Sequence, residues 1–92
     1  MDDRDELFDW DEGNEGHVTR HGIEPYEVEE ALLDSGRKPL SAHNRGGEKR
    51  RGLIGATEAG RIIFVIYALR GGKVRPITAN DVTKAQKRRY VR

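Results

Sequence analysis

Arginine is the residue type that first points to chemistry in this chain. Arg50 and Arg75 fall on neighbouring candidate strands, where each guanidinium can make a forked contact with phosphate that a lysine cannot. Arg61, Arg88 and Arg89 can extend such a site into a basic surface that follows a charged backbone. Any one of them alone is more often a solubilising surface charge, so their convergence is what matters. The groups able to move a proton are His21, His43 and Glu48, with Tyr90 as a donor or stacking platform. Plainer roles compete. His21 sits where it can cap the first helix, His43 lies on a loop edge, and Glu48 can pair with Arg50. His17 and His21 are four residues apart, which on a helix puts both rings on one face, as zinc ligands require. A HExxH site needs Glu beside the first His, and position 18 is Val; with no Cys and no third ligand in view, no metal or other cofactor is expected.

The distribution of charge says what these groups would meet. Residues 1–34 hold 13 Asp or Glu against Arg4 and Arg20, a balance of minus 11. Residues 35–92 hold 15 Lys or Arg against Glu48, Glu58 and Asp81, a balance of plus 12, so the net +1 hides a bipolar chain. That asymmetry points to a polyanion site in the second half, with the acidic half pairing with it or meeting a basic partner. The alternative is that the halves neutralise each other in the fold. At 92 residues the chain is expected to form a single domain, 1–92, with one small core. The absence of Cys excludes a disulfide scaffold and thiolate chemistry. The longest apolar run, 62–69, is far short of the ~20 residues a membrane helix needs. The acidic start, residues 1–6, is unlike a signal peptide, so a soluble cytoplasmic protein with no membrane partner is expected.

The elements that must position these groups follow from periodicity. Residues 7–10 alternate apolar and acidic and read as a short strand. Asp11 is the N-cap of a helix through about Arg20, closed by Gly22. Pro25 opens a second helix with Val28, Ala31 and Leu32 on one face, closed by Gly36 after Asp34. The period then becomes extended: a weak strand over 40–43, a turn over 44–47 and a strand over 49–57. A buried central strand over 61–69 follows, then a tight turn on Gly71-Gly72 and a partner strand over 74–79. Pro76 lacks an N–H, which predicts a bulge or an edge there. Thr83-Lys84-Ala85-Gln86 reads as a capping box opening a basic helix through Arg92. Trp10 and Phe64 belong with the core. The order β-α-α-β-β-β-β-α argues for an α+β fold, an antiparallel sheet with helices on one face.

Several strings, in order and spacing, resemble the BrnT family of toxins from bacterial type II toxin-antitoxin modules. They are Phe8-Asp9-Trp10-Asp11-Glu12, Arg20-His21-Gly22-Ile23, Gly47-Glu48-Lys49-Arg50, Ile54-Gly55, the strand 62–67, Arg75-Pro76-Ile77-Thr78-Ala79, Thr83 and Lys87-Arg88-Arg89-Tyr90. The chain departs from the family pattern at Asn14, where a Lys is usual, at Asn80, where an Arg is common, and in a one-residue shorter interval from Trp10 to His21. These differences mark a variant branch. The resemblance implies a RelE-like fold, ribonuclease activity that arrests growth, and a cognate antitoxin, typically a ribbon-helix-helix protein (BrnA-like).

RNA supplies its own nucleophile in the 2′-OH, so a ribonuclease needs a base near it, cations on the phosphate and an acid or stabiliser at the leaving oxygen. On that reading the catalytic candidates are Glu48, Arg50, Arg75, His21 and Tyr90, and the RNA-contacting ones Arg61, Asn80, Lys84, Arg88 and Arg89. The expected function is metal-independent RNA cleavage restrained by the antitoxin. The alternatives are a non-catalytic RelE-like module that docks an antitoxin and co-represses transcription, motivated by Asn14 and Asn80, and a general nucleic-acid-binding protein.

Overall fold

The computed structural model describes residues 6–91; the acidic start at 1–5 and Arg92, the expected end of the basic helix, lie outside the described residues. Helices α1 (Glu12–Arg20) and α2 (Pro25–Leu32) precede strands β1 (Lys38–Leu40), β2 (Arg51–Ala56), β3 (Ile62–Arg70) and β4 (Lys73–Asp81), and helix α3 (Lys84–Tyr90) follows. The strands pair antiparallel in the order β1-β2-β3-β4, the α+β architecture that the change of period predicts.

Local chemistry sets most boundaries. Asp11 accepts from the Asn14 amide at 3.1 Å while the Asn14 side chain accepts from the Asp11 amide at 2.8 Å, a reciprocal cap that starts α1. His21 is its C-cap, and Gly22 turns the chain. Pro25 opens α2 as expected, but the helix stops at Leu32, because Asp34 turns back to accept from the Gly36 amide at 3.0 Å. Thr83 and Gln86 cap α3 reciprocally.

Two extended segments differ from expectation. Residues 7–10 form no strand: Glu6 and Leu7 are helical, and Phe8 alone bridges in parallel to Val74, with the Asp9 amide donating to the Val74 carbonyl at 2.9 Å. The next position along β4 in that ladder would be Pro76, which has no N–H and whose carbonyl is already taken by Asn14 at 2.8 Å. The first sheet strand falls at Lys38–Leu40, ahead of 40–43, in register with Ile54, Leu53 and Gly52. Pro39 lies on this edge strand, where a residue without an N–H is tolerated. Pro76 meets both of its expectations: β4 is the other edge, and Tyr67 pairs with Pro76 while Ile66 pairs with Thr78, leaving Ile77 as a bulge. The extra residue lets Pro76 and Ala79 both face the helices, which strict alternation would forbid.

One face of the sheet carries the core. Val18, Ile23, Val28, Ala31 and Leu32 pack against Leu53, Ile63, Val65 and Ala79, with Trp10 at the margin donating its indole N–H to Glu29 at 2.9 Å. Phe64 is half-buried on the opposite face beside Gly52. Helix α2 reaches the sheet at Gly55, where a Cβ would collide with the Ala31 carbonyl.

Candidate functional site

The 41–50 segment turns on Gly46 and Gly47 and returns over the β3–β4 hairpin. There Glu48 pairs with Arg70 at 2.6 Å, and not with Arg50. Glu48, Arg50, Arg70, Arg75 and, from α1, His17 line one cleft of about 270 Å³. Arg75, whose side chain is 18% exposed, lies 3.4 Å from Asp9 and 2.9 Å from Asp11. Arg50 is different, because its Nε is buried and has no hydrogen-bond partner. A buried donor left unmade costs its desolvation, and a shift of the Arg50 side chain that brought the Nε to a ligand's acceptor oxygen would remove that cost.

The electrostatics of the cleft are balanced. The Asn14 amide and then Arg75 hold the Asp11 carboxyl below the usual carboxylate range. Arg70 does the same for Glu48, and Glu48 in turn raises Arg70. Both carboxylates are therefore ionised at neutral pH. Asn14 pins the arrangement from beneath: it is buried, and its amide donates to the Asp9 carbonyl at 3.0 Å and the Pro76 carbonyl at 2.8 Å.

Other sequence candidates lie elsewhere. Arg61 grips Asp81 through two nitrogens at 2.8 and 3.1 Å and reaches Glu27 at 3.2 Å, and Asp81 holds the Arg61 guanidinium charged. Asn80 donates to the Asp81 carbonyl at 3.2 Å. Tyr90 donates to Asp34 at 2.6 Å. Lys84, Arg88 and Arg89 are exposed on α3. All of these sit at the Ile62 end of β3, whereas the cleft is at its Arg70 end, roughly 26 Å along the strand. His21 is exposed at the end of α1, outside the cleft lining, with its ring centroid 5.3 Å from that of His17. His43 is exposed. Among the described residues no three His, Cys, Asp or Glu side chains gather as a metal site would require.

A family model described as the ribonuclease toxin BrnT of type II toxin-antitoxin systems matches residues 10–86. The chain belongs to the BrnT family. Membership makes it a ribonuclease toxin of a type II system, with RNA as the target and an antitoxin as the partner. No curated protein matches the chain. The span matched by the BrnT model includes every residue that lines the cleft, though not Asp9 beside Arg75, and among the described residues no helix is long and apolar enough to cross a membrane.

For this BrnT family member the structure thus brings together Glu48, Arg50 and Arg75, and adds two cleft residues that sequence reasoning missed. Arg70 reads in sequence as hairpin punctuation, and only the returning loop gives it a partner. His17 reads as half of a metal pair, although Gly13, Asn14 and His17 share one face of α1 at i, i+1 and i+4 spacing, a signal that was available.

Proposed function

We propose that this chain cleaves RNA in the cleft between the 41–50 segment and β4, by attack of the substrate's own 2′-OH on the adjacent phosphorus. Arg50 and Arg75 hold the scissile phosphate and stabilise the charge that grows on its non-bridging oxygens. Glu48, kept ionised by Arg70, takes the 2′-OH proton as the new P–O bond forms. His17 gives a proton to the 5′-oxygen as the old P–O bond breaks, leaving a 2′,3′-cyclic phosphate and a 5′-hydroxyl. His21 flanks this donor. The nucleophile comes with the RNA, so no metal-bound water is needed. Arg61 and Tyr90 serve the fold through Asp81 and Asp34, while Asn80, Lys84, Arg88 and Arg89 offer a second, distant contact for the RNA backbone. The partner is a ribbon-helix-helix antitoxin, and the site of action is the cytoplasm, where the RNA is.

The observation that carries this reading is the buried, unpartnered Nε of Arg50 in a cleft it shares with Arg75, Glu48 and His17. Inducible expression with total RNA followed over time tests it. Growth arrest with RNA loss is expected from wild type, and at least a hundredfold slower cleavage from Arg50→Ala and from Arg75→Ala. Arrest that persists in a folded double mutant overturns the site. A second reading, a non-catalytic antitoxin-docking module, is favoured by one feature: Asp9, Asp11 and Glu48 already occupy two of the three cleft arginines. It expects neither arrest nor cleavage from well-folded wild type.

A further inference from the structure

We propose that the antitoxin docks in a second groove, between the end of α2 and the β3–β4 hairpin, and that the segment it inserts is amphipathic, with apolar anchors flanked by carboxylates. This rests on the toxin-antitoxin reading of the family and not on the chemistry assigned to the cleft. The groove follows from the fold. Residues paired across strands share a face, so Arg51 with Tyr67 and Leu69 with Val74 continue the helix-bearing face toward the hairpin. Helix α2 stops at Leu32 and leaves that end uncovered. The result is a depression of about 340 Å³ into which Leu7, Leu33 and Leu69 project while 46%, 49% and 58% exposed. Three exposed leucines on one concave surface are the pattern of a partner site rather than of scattered surface apolar residues.

Charge chooses the occupant. Arg37 and Arg51, both exposed, border the groove, and among the described residues no acidic side chain lines it. A second copy docked across a two-fold axis would bring the same arginines toward each other, whereas an acidic and apolar segment meets them with opposite sign. The groove also lies back to back with the cleft. Phe8 forms part of its wall, and the next residue, Asp9, pairs with Arg75. A segment seated on Phe8 leaves the cleft open and bears on residues 8–11, whose carboxylates, Asp9 and Asp11, hold Arg75.

The test is titration of the purified antitoxin of the same operon into wild type, Leu33→Ser/Leu69→Ser, Arg51→Glu and Arg50→Ala, with RNA cleavage and sedimentation measured on the same samples. At least tenfold weaker binding is expected for the double leucine variant and for Arg51→Glu, each folded and cleaving RNA as wild type does, with Arg50→Ala binding normally. Equal binding by all four overturns the groove while leaving the cleft intact. A wild-type dimer that the leucine substitutions split without weakening antitoxin binding also overturns it, because the groove is then a self-interface. If wild type fails to bind the antitoxin the proposal falls, and the cleavage assay on that sample separately reports whether the ribonuclease reading survives.

Discussion

The hydrogen bond from Tyr90 to Asp34 shows how far one side chain can be from the role its type suggests. Asp34 ends the α2 region, and its carboxylate accepts from the Tyr90 hydroxyl at 2.6 Å, the Ala56 amide at 2.9 Å and the Gly36 amide at 3.0 Å. Burial alone would raise this carboxyl, but the three donors outweigh it and the net shift is downward. Tyr90 is raised, first by its bond to Asp34 and then by burial. The two shifts act at opposite ends of the pH scale. Asp34 ionises more readily folded than unfolded, so its contribution is complete above about pH 4 and is lost as acid protonates it. Tyr90 holds its proton more tightly when folded, so its contribution is complete below about pH 10 and is lost as alkali removes that proton. Tyr90→Phe is therefore expected to cost about 1 kcal/mol at pH 7, after allowance for partial exposure, and progressively less at pH 3 and at pH 11. Urea unfolding of both proteins at the three pH values checks this. A gap that stays constant with pH would remove the bond from the stability of the α3 end.

At the scale of elements, the contact of α2 with β2 is set by the lack of a side chain at Gly55. A Cβ there meets the Ala31 carbonyl, carbon and Cα, all backbone atoms of α2 that cannot swing aside. Gly55→Ala is expected to destabilise the protein by roughly 2 kcal/mol or more, although Ala has the better intrinsic stability in extended chain, because the helix must move off the core. Thermal unfolding measures the loss, and an unchanged midpoint would mean that α2 shifts freely. The elements themselves were largely legible. The eight-residue apolar run at 62–69, the Gly71-Gly72 turn at φ +58° and +79°, and the Thr83-to-Gln86 box each carry their cause in the local residues. Residues 7–10 carry the right alternation, but whether they join a sheet depends on Pro76, sixty-odd positions away, and on Asn14 claiming its carbonyl. The candidate site was half legible for a similar reason. Strand rise alone separates Arg61 from Arg70, and hairpin order places Arg75 near the turn. No spacing in the chain reveals that the 41–50 segment folds back so that Glu48 meets Arg70. Nor does any reveal that Asn14, standing where a Lys is usual, is a buried pin under the cleft.

The whole molecule is bipolar in sequence, and the fold resolves that polarity by bringing the acidic half to the basic one at chosen places. Glu27 reaches Arg61 across the helix-sheet interface, and Asp9 and Asp11 close on Arg75 at the cleft. Elsewhere the basic half stays open, notably on α3. A phosphate entering the cleft thus finds Arg50 unpartnered but must compete with two carboxylates for Arg75. On the proposed reading, in which the cleft takes the RNA, the acidic half sets the strength of binding by this competition, which predicts a gain from removing charge. Asp9→Asn/Asp11→Asn keeps the N-cap, since Asn serves there as well as Asp, and frees Arg75. The variant is expected to bind a short single-stranded RNA several-fold more tightly at low salt. Its plot of log affinity against log salt should be steeper by about 0.7, the increment for one added phosphate contact on a single strand. The added contact is exposed to counterions, so the gain should fade as salt rises. If RNA binds only through α3, at the far end of the sheet, the two carboxylates face no phosphate, and both affinity and slope will match wild type. Tighter binding without a steeper slope would mean that the substitutions relieved repulsion of the RNA at long range and left Arg75 where it was.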